Sequence, residues 1–240
     1  MAEDPFARLL ELEGVASAFA AARDGIDALL RDRGLRRTDS ATTAEALLRG
    51  AHASGVLEGS GATLAQVRAG ETDPVAAASV RVSAELLGQL PVLARSPLQA
   101  LARIHAVAAA EDLAPDLRGR PRDAASAALL GSVGRLLLAA TSAPALLAAA
   151  VVHAELLTGA PFASHNGLVA RAAERLVLAG RGVDPRSVLV PEAGHLALRA
   201  AYASNARGYR DGGTAGAQAW LRYAAEAYAA GAEASPLALG

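Results

Sequence analysis

Apolar positions recur at helical spacing along almost the whole chain, and the polar and breaker residues between them mark where helices stop. Asp4-Pro5 supplies a cap and a first-turn proline for a helix to about Arg33, bent at Gly14. Ser40 or Thr42 caps a second helix that runs to Glu58 and stops at Gly59. Thr63 opens a short helix, 64–68, and Asp73-Pro74 starts another through about Leu90. Ser96-Pro97 begins a helix ending near Glu111, and the proline- and glycine-broken stretch 113–122 reads as loop. Further helices follow at 124–140, 143–157 and 167–179, then from Pro191 to about Ala206, and last at 215–230. Period-two alternation is confined to a short extended piece at 187–190. The pattern predicts an all-α fold.

Composition supports close helix packing. Of 240 residues, 52% are hydrophobic but only 3% aromatic, so the core is built from small aliphatic side chains that let helix axes approach. A formal charge of −1 gives no electrostatic reason to expect nucleic acid as partner. All 23 basic residues are arginine, the side chain that forks onto phosphate. With no cysteine there is no disulfide, thiol nucleophile or thiolate metal site. The acidic N-terminus does not read as a signal peptide, and the most apolar run, 136–152, is broken by Thr141-Ser142 and Pro144. A cytoplasmic protein without membrane attachment is expected.

The chemistry concentrates in 161–171, where a polar loop containing Ser164, His165, Asn166 and Gly167 runs into a helix carrying Arg171. Asn tolerates left-handed dihedrals and Gly allows close backbone approach, so the pair can form an anion-binding concavity at a helix N-terminus. Arg171, one turn on, can reach back over a bound phosphate. The plainer alternative is that Asn166 simply caps the helix and Arg171 pairs with Glu174 or Glu155. Upstream, Ser54 and Glu58 stand at i and i+4 on one helical face, while Gly59 also reads as an ordinary helix stop.

The loop resembles the signature of the Fic (Fido-fold) family, His-Pro-Phe-x-Asp/Glu-Gly-Asn-Gly-Arg-x-x-Arg. Pro161, Phe162, Asn166, Gly167 and Arg171 match position for position, and His153 stands seven residues upstream, where such proteins often carry histidine. Ser54-Gly55-Val56-Leu57-Glu58-Gly59 resembles the family's inhibitory motif, Ser/Thr-x-x-x-Glu-Gly/Asn. The resemblance covers roughly residues 45–180. It implies a Fic-like helical bundle spanning 40–232 with an inhibitory helix at 40–58, preceded by a helical extension at 1–39 and followed by a frayed tail at 233–240.

The resemblance also implies a site. Phe162, Ser164, His165, Asn166, Gly167 and Arg171 would line a nucleotide or phosphate site, and Glu58 would compete for Arg171 with the outermost phosphate. Fic chemistry usually transfers AMP from ATP to a protein hydroxyl, which makes ATP the implied ligand or substrate and a protein the implied target. The departures fall on the chemistry. Ala160 replaces the catalytic histidine, Ser164 the acidic residue that holds magnesium, His165 the first glycine, and Leu168 the first arginine. Loss of a positioned base alone costs roughly 10²–10⁴ in rate.

No metal-ligand set is read from the sequence, and magnesium loses its carboxylate. His165 is the remaining candidate base, although its place on the phosphate-facing turn better suits donating to an anion or capping the helix. His153 and His105, among apolar residues, are expected in the core, and His52 and His195 at the surface. Three functions follow: a gated phosphate-binding protein with little transferase activity, an active adenylyltransferase or related phosphate-group transferase, or a helical interaction module with a vestigial cleft. The sequence leaves ligand, target and oligomeric state open.

Overall fold

The computed structural model describes residues 4–33 and 39–239. Parts of the expected N-terminal extension, 1–3 and 34–38, and residue 240 of the tail lie outside the described residues.

The N-terminal helix is two helices, α1 (Ala7–Leu10) and α2 (Val15–Arg33). Between them the chain turns through Gly14 at φ 76°, a conformation that a side chain would strain. Helix α3 (Ser40–Leu57) is capped by Asp39 rather than by Ser40 or Thr42, because the Asp39 carboxylate accepts from both the backbone N–H and the hydroxyl of Thr42. Helix α4 (Leu64–Ala69) opens on the expected Thr63, whose hydroxyl and the Gln66 side chain form a capping box. Helix α5 (Pro74–Leu86) starts at Asp73-Pro74 as the pattern predicts. It ends sooner, in a 3₁₀ turn at Leu87–Gln89 and the single-turn α6 (Leu90–Leu93), where the Pro91 ring would clash with a continuing helix.

Helices α7 (Pro97–Ala108), α8 (Ala124–Leu138), α9 (Ala145–Gly159) and α10 (Asn166–Gly180) form the centre of the molecule. Every residue of α10 from Gly167 to Ala179 is buried. It lies along α9, whose Ala148, Ala149, Ala150 and Ala154 let the two axes approach. Helices α3, α5 and α7 pack on its other sides. The expected helix from Pro191 divides at Leu198 into α11 (Pro191–Ala197) and α12 (Arg199–Asp211). The long α13 (Gly213–Glu233) packs against α2, α11 and α12.

Two close approaches hold this arrangement. A side chain at Gly50 would come 2.4 Å from Arg175 Nη1, so α3 lies directly on the buried Arg175–Glu192 pair. One at Gly194 would come 1.9 Å from the Ala227 carbonyl oxygen, so α11 lies directly on α13.

Phe6, Val15, Phe19 and Ile26 join the same core as α9, α10 and Trp220, so the N-terminal helices belong to the central packing. The described part of the tail is helical. It forms α14 (Pro236–Leu239) against α2 and α3, with Ser235 fully buried and donating to the Val188 carbonyl. The segment 187–190 forms no strand, and it opens on Ser187 in the left-handed region (φ 52°) rather than in an extended conformation. It is pinned by the Asp184 carboxylate, which accepts from Val188 and Leu189, and by Val190 donating to Gly231. Among the described residues there is no strand, only one antiparallel bridge between Pro121 and Phe162. None of their helices is long and apolar enough to cross a membrane.

Candidate phosphate loop and its buried network

Helix α9 ends at Ala160 in the left-handed region (φ 42°), which turns the chain sharply into Pro161 and Phe162. Phe162 is buried and stacks on the His105 ring, with centroids 4.3 Å apart. Asn166 closes the loop on itself. Its side chain accepts from the Phe162 N–H and donates to the Phe162 carbonyl, both at 2.9 Å. It is therefore neither the helix cap nor the left-handed residue. That residue is His165 (φ 53°), which occupies the cap position without capping, because its Nε2 lies 2.6 Å from Asp112 Oδ2. The 113–122 segment flanks the loop, with Arg122 donating to the Pro161 carbonyl.

His105 supports the loop from beneath. It is buried on α7, as expected, and its Nδ1 accepts the Gly119 N–H at 2.8 Å. Burial, helped by His165 and opposed by Asp112, pulls its pKa from 6.5 to about 4, so the imidazole is neutral. Ser164 has its Oγ buried without a hydrogen-bond partner.

Arg171 is the polar centre of the site, with a side chain 1% exposed. Its Nε donates to Ser54 Oγ at 2.7 Å, and Nη2 donates to the Ser54 carbonyl at 3.3 Å and to Glu58 Oε1 at 2.6 Å. Nη1 donates to the Tyr202 hydroxyl at 3.1 Å. The Glu58 carboxylate rests on the first turn of α10, and a side chain at Gly167 would come 2.1 Å from its Oε1. The structure thus brings together Ser54, Glu58, Gly167 and Arg171, with Phe162 and Asn166 shaping the loop beside them. Neither alternative partner takes Arg171: Glu155 accepts from Tyr209, and Glu174 faces the core.

No protein-family model matches the sequence, and no curated protein matches it either. Solved structures do. A Fic family protein from Desulfovibrio desulfuricans superposes with a TM-score of 0.72 at 17% identity, over 90% of this chain and 73% of that one. Fic-1 from C. elegans superposes with a TM-score of 0.71 at 16% identity, over 92% of this chain and 71% of that one. The chain has the Fic fold. At these identities the likeness is one of fold.

On this Fic fold, two positions that depart from the signature have plain structural places. Leu168, in place of the first arginine, is buried in the core, and Ala160 serves only as the turn that ends α9. Behind Arg171 lies a network the sequence did not disclose. Tyr202 Oη is also 2.9 Å from His153 Nε2, and His153 Nδ1 is 2.9 Å from Glu174 Oε1. Glu174 Oε2 is 3.0 Å from His195 Nε2, His195 Nδ1 is 2.7 Å from Tyr223 Oη, and Tyr228 donates to Glu174 Oε1 at 2.8 Å.

His153 lies in the core as expected, but His195 corrects the expectation of a surface residue and is fully buried. His52 is half-buried. Burial outweighs the attraction of Glu174 and pulls the His153 pKa to about 4. Burial pushes the Glu174 carboxyl up, but the two imidazoles pull it further down, below the usual carboxylate range. Of these residues Glu174 carried a faint signal, three positions after Arg171 on the same helix. Asp112 and the tyrosines carried none.

Proposed function

We propose that this chain binds a nucleotide or another phosphate-bearing ligand over the 161–167 loop, with Arg171 as the anion's partner and Glu58 as a carboxylate that competes for it. The supporting observation is the 2.6 Å Arg171–Glu58 bond. A guanidinium this deeply buried needs an anion, since leaving such a charge unpaired costs about 3–5 kcal/mol. The chain supplies that anion from Glu58, whose side chain is still 28% exposed and free on its other side to give way to solvent-borne phosphate.

Transfer by the usual Fic route is weak in this reading. Ala160 offers no base, Ser164 no carboxylate for magnesium, and Leu168 no second phosphate clamp. ATP in a cytoplasmic setting is the first ligand to try, and the reading calls on neither nucleic acid nor a membrane. Calorimetric titration of ATP, with and without magnesium, tests it. Glu58→Gly is expected to tighten binding and Arg171→Ala to abolish it. Absence of binding in wild type and Glu58→Gly alike overturns the reading and favours a vestigial cleft.

One observation favours a second reading, an active phosphate-group transferase acting on a protein hydroxyl. With Nε2–H directed to Asp112, His165 keeps a lone pair on Nδ1, two residues from the Gly167 turn on which the Glu58 carboxylate rests. An imidazole oriented by a carboxylate is the arrangement of a general base. A mass shift on the protein incubated with ATP in the Glu58→Gly background, lost with His165→Ala, would establish this reading over the first.

A further inference from the structure

The buried network contains a constellation that phosphate binding does not use. His153 from the middle of α9, Glu174 from α10 and His195 from α11 are each 0% exposed, and their ligand-type atoms all lie within 4.8 Å of one another. Both carboxylate oxygens of Glu174 are engaged, one toward each imidazole.

Three features exceed what a packed hydrogen-bonded core requires. The first is charge. Among the described residues, the groups in contact with Glu174 are two imidazoles and the Tyr228 hydroxyl, while the nearby positive charge of Arg171 is taken up by Glu58. No guanidinium pairs with this wholly buried carboxylate, and a bound cation would supply the opposite charge that such a group calls for. The second is direction. His153 Nδ1 sits 2.9 Å from Glu174 Oε1 yet makes no hydrogen bond of acceptable geometry, so this ring nitrogen aims past the oxygen. The third is the outer ring. His153 Nε2 meets Tyr202 Oη and His195 Nδ1 meets Tyr223 Oη, which leaves each inner nitrogen for a ligand and gives each outer N–H an acceptor. Metal-bound histidines are held in this way.

We propose that His153 Nδ1, His195 Nε2 and the Glu174 carboxylate are the ligands of a divalent transition metal of the zinc class. Two imidazoles and one carboxylate form a borderline donor set that suits zinc better than magnesium or calcium, which take oxygen ligands. With the metal bound, each imidazole would carry its one proton on the outer nitrogen, where a tyrosine oxygen stands to accept it. The Tyr228 hydroxyl orients the carboxylate. Because the three residues are closed off from solvent, the ion enters as the chain folds, and its role is to tie α9, α10 and α11 together. This site is separate from the position where Ser164 replaces an acidic residue.

Metal content is the test. The full chain, purified without chelator, is analysed by mass spectrometry for metals, then unfolded with a chelator and refolded with zinc, with cobalt(II), or with chelator still present. The expected result is about one metal ion per chain, visible cobalt absorption bands of low-symmetry nitrogen–oxygen coordination, and a lower Tm in the chelated protein. Glu174→Gln and His195→Gln are expected to lose the metal. If either variant fails to fold, wild-type stoichiometry and the cobalt spectrum decide alone. Wild type that refolds equally well without metal, and takes up none when zinc is supplied, overturns the proposal. So does metal retained in full by both variants.

Discussion

Glu58 and Arg171, 113 residues apart in sequence, meet at 2.6 Å over the first turn of α10. Gly167 is the reason they can. The carboxylate occupies the space where any other residue would place its Cβ, 2.1 Å away. Gly167→Ala is therefore expected to expel the Glu58 carboxylate without touching its chemistry. Stability should fall by about 1–3 kcal/mol in urea unfolding. Loss of Arg171 protection from dicarbonyl modification would report the broken pair. Unchanged stability and protection would mean that the pair is not held as described.

Ser54 anchors the other edge of the guanidinium through both its hydroxyl and its carbonyl. Ser54→Ala leaves Arg171 Nε buried and unpartnered, which should cost about 1–3 kcal/mol. Ser54→Thr keeps the hydroxyl and is expected to recover much of that loss.

His105 makes stability depend on pH. Its folded pKa of about 4 lies below 6.5, so between those values the unfolded chain holds more protons than the folded one. Stability therefore falls as pH drops from about 6.5 toward 4, with a slope approaching ~1.4 kcal/mol per pH unit for this one group. The titratable groups that face it are His165, which deepens the shift, and Asp112, which opposes it. Thermal unfolding across pH 4.5–7 checks this, and His105→Phe should flatten the slope. Some dependence will remain, because the His153 pKa is lowered in the same sense.

Gly194→Ala tests the crossing of α11 on α13. The added methyl group would meet the Ala227 carbonyl oxygen at 1.9 Å, on backbone that cannot swing aside. The helices must part, at a cost of about 1–3 kcal/mol or more. Tyr223 and Tyr228 fluorescence should report the opening of the core around His195.

Local chemistry was legible in the sequence. The Thr63–Gln66 capping box, the Asp73-Pro74 start and the helical character of the chain are decided within a few residues, and the structure has them. The 161–171 loop was legible as a unit, and the i, i+4 spacing of Ser54 and Glu58 put both on the face that meets Arg171. What failed depends on partners that the hydrophobic pattern does not weigh, one of them local and the others far along the chain. Asp39 rather than Ser40 caps α3 because its carboxylate reaches Thr42 twice. His195 looked exposed because nothing nearby in sequence shows that Gly194 presses against Ala227. His165 could be placed on its turn, but its capture by Asp112 came from 53 residues earlier, just past the expected end of a helix near Glu111.

The close seating of α3 has a mechanical consequence. Gly50 locks that helix onto the Arg175–Glu192 pair two turns before Glu58, so α3 cannot slide along its axis without breaking a buried ion pair. Beyond the last turn, Gly59 reverses the chain at φ 102° and Ser60 ties it to Asp73. For the release of Arg171 proposed above, α3 would therefore serve as a fixed post. Only the Glu58 side chain would have to swing, on the timescale of a rotamer change rather than of a helix displacement.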